Sequence, residues 1–312
     1  MLDQDVSRTT HPAPAHKRSA RVISPYVIKR IFSKKRRRIG RIVFERLTEP
    51  IHLNILSIFV AILGSFRAKV DFDLIVRQQF AFSILTAADH AAKLGLKKLT
   101  LIEFGVANGA GLMNMSAVAT SVTKQTGVEF DIFGFDTGTG LPPPVDYRDH
   151  PEYFRTNDFP MDLQRLQQHL PMGIHLVVGD IEQTVVEFIS SLTASAPLAF
   201  VSMDVVYYSS SRAALRVLTG RPEVYMPTVL LYLADIIFDT VNPWCGELLS
   251  INEFNEANKM RKISPMPFLR SRRLFKNARW IEQIYTVNVF DHPARSPSKR
   301  AERIISPNEY IS

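Results

Sequence analysis

Five carboxylates stand where apolar runs end: Glu103, Asp136, Asp180, Asp204 and Asp235. The runs before them, 99–104, 129–135, 174–178, 198–203 and 228–234, read as buried strands. A carboxylate in such a place can accept hydrogen bonds from hydroxyls or take a proton. A single strand-end acid is often structural, because Asp is a favoured helix N-cap. Five in succession, each beside an apolar run, are not explained by solvation alone.

The first acid leads into the most informative stretch, Leu99-Thr-Leu-Ile-Glu-Phe-Gly-Val-Ala-Asn-Gly-Ala-Gly-Leu112. It reads as strand, acid, glycine-rich turn and helix start. Gly105, Gly109 and Gly111 let the backbone turn tightly and approach a ligand, and a turn of this kind before a helix N-terminus forms nucleotide-cofactor sites. The spacing is Gly-x3-Gly-x-Gly, not the Gly-x-Gly-x2-Gly of dinucleotide folds. With Glu103 just ahead of it, the turn points to S-adenosylmethionine rather than NAD. On that reading, the backbone from Gly105 to Gly111, with Val106 and Asn108 between, approaches the methionine portion. Glu103 orients the turn or reaches the methionine ammonium. Asp136 accepts from the ribose hydroxyls. Asp180 and the Ile181 backbone bracket the adenine edge, unless Asp180 simply caps a helix.

The elements that must position these groups alternate. An amphipathic helix over 74–94 precedes the first strand. Helices are expected over 111–124, 161–170, 182–193, 209–218 and 246–258, and a last strand over 281–290. Near-continuously apolar strands alternating with helices imply a mostly parallel sheet covered on both faces. Ligands of such sheets bind at the carboxyl ends of the strands. The loop 137–160 is long enough for a lid. It carries His150, which could act as a base but reads as solvated. Gly246-Glu247, opening the helix after strand five, could place Glu247 near the acceptor, although a first-turn Glu is also what the helix dipole favours.

Three segments resemble class I S-adenosylmethionine-dependent methyltransferases, and more narrowly the macrocin O-methyltransferase-like family. They are Glu103-Phe-Gly-Val-Ala-Asn-Gly109, Phe133-Gly-Phe-Asp-Thr-Gly-Thr-Gly-Leu-Pro142 and Val201-Ser-Met-Asp-Val-Val-Tyr-Tyr-Ser-Ser-Ser211. The likeness spans roughly residues 75–290. It implies a Rossmann-like, doubly wound, mostly parallel α/β sheet of methyltransferase type with an N-terminal helical extension. It also implies O-methylation of a small hydroxylated metabolite or sugar. Family members that methylate sugar hydroxyls hold a divalent metal with acids at the ends of strands four and five. By position, the first Asp of the Asp-x-Asp signature is Asp204, placed as base; the second falls on Val206, and the Asp-Asp pair falls on Ala234-Asp235. Two of three metal carboxylates are therefore missing, and no metal ligands are assigned. Asp204 and Asp235 stand as the catalytic candidates, with a cap on the 207–218 region as the alternative for Asp204. These losses also suit a catalytically degenerate fold that serves as a binding protein.

The bulk numbers set the frame. The chain has 312 residues and a net charge of +8. Residues 17–46 hold twelve Lys/Arg against Glu45, so they carry +11 and the remainder −3. That arm, with its run Lys34-Lys-Arg-Arg-Arg38, suits an anionic membrane or nucleic acid, although it lacks the interleaved aromatics of a nucleic-acid module. One cysteine, Cys245, excludes a disulfide framework and reads as an ordinary thiol. No signal peptide is visible, and the 14-residue apolar stretch Ile51–Gly64 is too short to span a bilayer, so a cytoplasmic location is expected. The expected organisation is a basic arm over 1–45, a helical extension over 46–73 that pads the core or forms a homodimer contact, a catalytic domain over 74–291 and a polar tail over 292–312.

Overall fold

The computed structural model describes residues 44–237 and 241–295. The chain divides into two compact units, Met1–Leu47 and Thr48–Ser312. Of the first, residues 44–47 are described, and they are helical. Most of the basic arm, including Lys34–Arg38, and the tail from residue 296 lie outside the described residues.

The second unit contains one seven-stranded sheet of order β3-β2-β1-β4-β5-β7-β6. Its strands are β1 (Lys98–Phe104), β2 (Glu129–Asp136), β3 (Ile174–Val178), β4 (Leu198–Met203), β5 (Tyr225–Leu233), β6 (Arg261–Pro265) and β7 (Ile284–Val289). The first five pair in parallel. β7 runs antiparallel to both β5 and β6. This is the methyltransferase-type doubly wound sheet that the resemblance implies. Two elements were not anticipated: β6, and a short helix at Leu269–Arg272. β6 is five residues long, begins with two cations and ends in Pro265, a composition that suits an edge strand and gives little strand signal.

The helices of this unit are α1 (Ile51–Leu63), α2 (Phe66–Asp71), α3 (Gln78–Lys93), α4 (Ala110–Thr126), α5 (Leu163–His169), α6 (Ile181–Ser191), α7 (Tyr208–Leu215), α8 (Gly246–Ala257) and α9 (Leu269–Arg272). β4 is buried along its whole length and β1 at six of seven positions, as expected of parallel strands covered on both faces. From α3, Phe80 packs edge-on against Phe200 of β4 and Tyr232 of β5, with ring centroids 5.6 and 5.8 Å away. Truncating such a ring costs about 3–5 kcal/mol, so α3 is fixed to the two strands that matter most for the site. α1 has no buried residue and so does not pad the core, as one reading of the sequence had it. The first buried side chain of the extension is Val70, in α2.

Candidate functional site

The parallel strands bring four of the five acids to one edge. Backbone bonds continue the ladder past the strand ends: Gly105 N–H donates to Phe135 O, Asp204 N–H to Phe104 O and Ala234 N–H to Met203 O, each at 2.9 Å. Glu103, Asp136, Asp204 and Asp235 thus terminate β1, β2, β4 and β5 side by side. Asp180 follows β3, the outer strand, and caps α6 by accepting from Glu182 N–H at 2.9 Å.

The glycine turn is tight for identifiable reasons. Gly105 has φ +84°, and a Cβ there would lie 2.0 Å from Asp204 O. A Cβ on Gly111 would lie 1.7 Å from Glu103 Oε1. Glu103 is therefore sealed beneath the start of α4, only 1% exposed. Its Oε2 has no hydrogen-bond partner. Burial pushes its pKa up to about 8, against the favourable charge of Arg77 and with the unfavourable charges of Asp204 and Asp136. Of its two expected roles, the position suits support of the turn. Asn108 is exposed at the tip, and Gly109, at φ +76°, precedes α4 without a side-chain cap. The first amides of α4 are thus left for another acceptor.

Asp136 knits the turn together. Its Oδ2 accepts from Val106 N–H at 2.9 Å and Ala107 N–H at 2.8 Å, and its Oδ1 accepts from Gly138 N–H at 2.8 Å. A carboxylate has about four acceptor sites, so three backbone donors leave room for a ligand hydroxyl. A cavity of about 340 Å³ opens over this carboxylate. Gly105, Ala107, Leu141, Ile181 and Asp204 help to line it.

A second cavity, of about 350 Å³, adjoins it. Phe154, Val206 and Asp235 line both. The rest of the second wall is mostly apolar, with His150, Cys245 and Glu247 among the exceptions. His150 is not solvated as expected: its side chain is 14% exposed. Its left-handed backbone, φ +53°, turns the chain there, and Nδ1 lies 3.3 Å from Glu152 Oε1. The loop that carries it is pinned by Asp149, which is fully buried and accepts from Val145 N–H, Ser209 N–H and Ser209 Oγ–H. Asp149 is thus the group that satisfies the start of α7, and Asp204 does not cap it. Among the described residues the Asp204 carboxylate accepts no hydrogen bond. It reaches solvent through the cavity mouth, yet the protein packed around it raises its pKa, opposed by Arg77.

Asp235 and Glu247 meet at the β5 end of the edge, Asp235 half-buried and Glu247 buried. Val206 N–H donates to Asp235 Oδ2 at 3.1 Å, and Asp235 N–H donates to Glu247 Oε2 at 3.2 Å. Glu247 is 4% exposed, and its Oε1 has no partner. Burial first, and then mutual repulsion with the neighbouring acids, raise the pKa of both. Of the two roles read for Glu247 in the sequence, near the acceptor or favoured by the helix dipole, its place on the second cavity suits the first; Gly246, at φ +56°, opens α8 beside it. Arg77, the cation that opposes the raised pKa values of Glu103 and Asp204, was not singled out either; it stands in a left-handed conformation just before α3.

Among solved structures the chain is similar in fold to the calicheamicin methyltransferase CalS11, at 16% identity over 82% of this chain and 95% of that one, TM-score 0.46. It is also similar to the O-methyltransferase NovP, at 14% identity over 58% of this chain and 72% of that one, TM-score 0.41. No protein-family model matches the sequence, and no curated protein does.

Proposed function

We propose that the chain is an S-adenosylmethionine-dependent methyltransferase acting on a hydroxyl of a small molecule. The observation that carries this reading is the shared wall of Phe154, Val206 and Asp235 between two cavities, with Asp204 on the first and Glu247 on the second. A cofactor and an acceptor can meet across such a wall.

The cofactor-side residues fit their group. Gly105 lines the cavity, and Gly105, Gly109 and Gly111 keep the turn tight, since a Cβ at any of them would meet Asp204, Leu166 or Glu103. Ala107, Asp136 and Ile181 line the cavity, and Val106, Asn108 and Glu103 shape or support the turn. Asp136 would take the ribose hydroxyls. Bound there, the cofactor supplies a methyl on a sulfonium sulfur, which keeps the electron pair of the broken C–S bond as a neutral thioether. The protein's part is to align the acceptor oxygen with that methyl, where most of the rate gain of such a displacement lies. Asp204 takes the proton that the hydroxyl loses as its oxygen bonds to carbon. Asp235, held by the Val206 amide, orients the hydroxyl beside it. The mostly apolar second wall suits an acceptor with an apolar body.

The donor set does not fit a divalent cation, which prefers several carboxylate or carbonyl oxygens. Val206 and Ala234 stand where the resemblance places two of the ligands. Among the described residues no cluster of three or more His, Cys, Asp or Glu is arranged to hold one. The proton therefore goes to Asp204 directly. The same two residues favour a second reading, a fold that binds ligand without turnover.

Calorimetric titration with S-adenosylmethionine tests the first step. One saturable site is expected, with affinity reduced at least tenfold in Asp136→Ala. A folded chain that takes up no cofactor overturns the proposal. Release of S-adenosylhomocysteine with hydroxylated apolar acceptors, unchanged by a chelator, supports the enzyme; binding without release across that panel supports the second reading.

A further inference from the structure

The first helix of the described fold has the composition of an interior element and the exposure of a surface one. α1 spans 13 residues and contains no Asp, Glu, Lys or Arg, and none of its residues is buried. Ile51, Ile55, Ile58 and Ile62 recur at helical spacing as one outward stripe. Leu56, Phe59 and Leu63 form the stripe beside it, and exposure across the seven runs from 47% to 83%. The polar Asn54 and Ser57 lie on the half-buried side. Soluble surfaces rarely carry a contiguous apolar face of this kind without an occupant.

The chain itself indicates the occupant. Residues 17–46, just ahead of α1, carry +11, and the rest of the protein −3. A second copy would meet the apolar stripes but bring another +11 segment with it. A nucleic acid would meet the charge but leave the stripes in water. An anionic bilayer answers both, with headgroups for the cations and the acyl boundary for the stripes. At 1.5 Å per residue α1 is about 20 Å long, short of the ~30 Å hydrocarbon core. No helix among the described residues is long and apolar enough to cross a membrane. α1 therefore suits a position along the interface rather than through it.

We propose that α1 docks the protein on anionic membrane surfaces, with the basic segment 17–46 supplying attraction to the headgroups. The test uses the full chain and sucrose-loaded vesicles, either phosphatidylcholine alone or phosphatidylcholine and phosphatidylglycerol in equal parts. Sedimentation with the mixed vesicles is expected, weaker with neutral ones and falling as salt is raised. The double substitution Ile55→Asp, Phe59→Asp falls on exposed positions, so circular dichroism should show an intact fold, and vesicle affinity should drop at least tenfold. Three results overturn the proposal. One is no sedimentation beyond a lipid-free control. Another is full binding by the doubly substituted chain, which would leave the basic segment as the sole anchor. The third is a dimer in sedimentation velocity that the double substitution dissolves while wild type ignores the vesicles, which would make the face a contact between copies.

Discussion

The cofactor-side and acceptor-side halves of the site are built from different materials. On the first, the backbone does most of the shaping. Gly105 and Gly111 admit neighbours at distances that no Cβ would allow, and Asp136 is held by three backbone amides. At the wall between the cavities and beyond it, side chains dominate: among the described residues the Asp204 carboxylate, which lines the first cavity, accepts no hydrogen bond, and Glu247, on the mostly apolar second, keeps one carboxylate oxygen unpartnered. The difference separates holding from reacting. A carboxylate engaged by three amides is fixed in place. One that is partly desolvated and without donors has a raised proton affinity, as a group that must accept a proton requires.

The sharpest way to break this contrast is Asp204→Asn. The change keeps shape and removes the proton acceptor. Turnover should fall about 10²- to 10⁴-fold, the usual range for loss of a general base. Cofactor affinity, measured by calorimetry, should stay within a few-fold of wild type, because the ribose and turn contacts lie elsewhere. A variant with undiminished kcat would remove Asp204 from the chemistry. One that lost cofactor binding equally would place it on the holding side.

This division also decides what could be read in the sequence. The turn was legible because tight backbone approach needs glycine, and glycine at fixed spacing is visible. The strand-end acids were legible because each interrupts an apolar run. Their functions were less so. Nothing in the sequence sets Asp149 apart from the other acids of its loop, and only the fold shows it pinning α7 across a separation of 60 residues. Gly246-Glu247 marks where α8 starts, but that its start meets Asp235 is a tertiary fact. His150 is brought into the cavity by a left-handed residue in a loop, which no periodicity announces. The five parallel strands and β7 were readable, and β6 was not, since it has neither length nor an apolar pattern.

Glu103 lies between the two classes, and pH distinguishes them. Burial pushes its folded pKa up to about 8, well above that of a carboxyl in water. The native state therefore keeps a proton that the unfolded chain has released across that window. The stabilisation this gives is complete below the unfolded pKa and is lost as pH rises through the folded one. Glu103→Gln cannot ionise and lacks that slope. Chemical denaturation of the two proteins should show the variant gaining on wild type by roughly 1–3 kcal/mol between pH 5 and pH 7. Parallel curves would mean that Glu103 is ionised and paired, and would move it to the same class as Asp136.

The smallest expected effect tests where the cofactor-side half ends. Asp180 follows the outer strand β3 and accepts from Glu182 N–H at the start of α6, while the next residue, Ile181, lines the cavity. If the carboxylate only caps, Asp180→Ala should cost about 1 kcal/mol of stability and leave cofactor affinity unchanged, because the Ile181 backbone remains. If it also brackets the adenine, affinity should fall several-fold beyond what the loss of stability explains, and Asp180→Asn should restore the cap without restoring affinity. The two variants together separate a residue that holds the helix from one that holds the ligand, the same distinction that Asp136 and Asp204 draw at the centre of the edge.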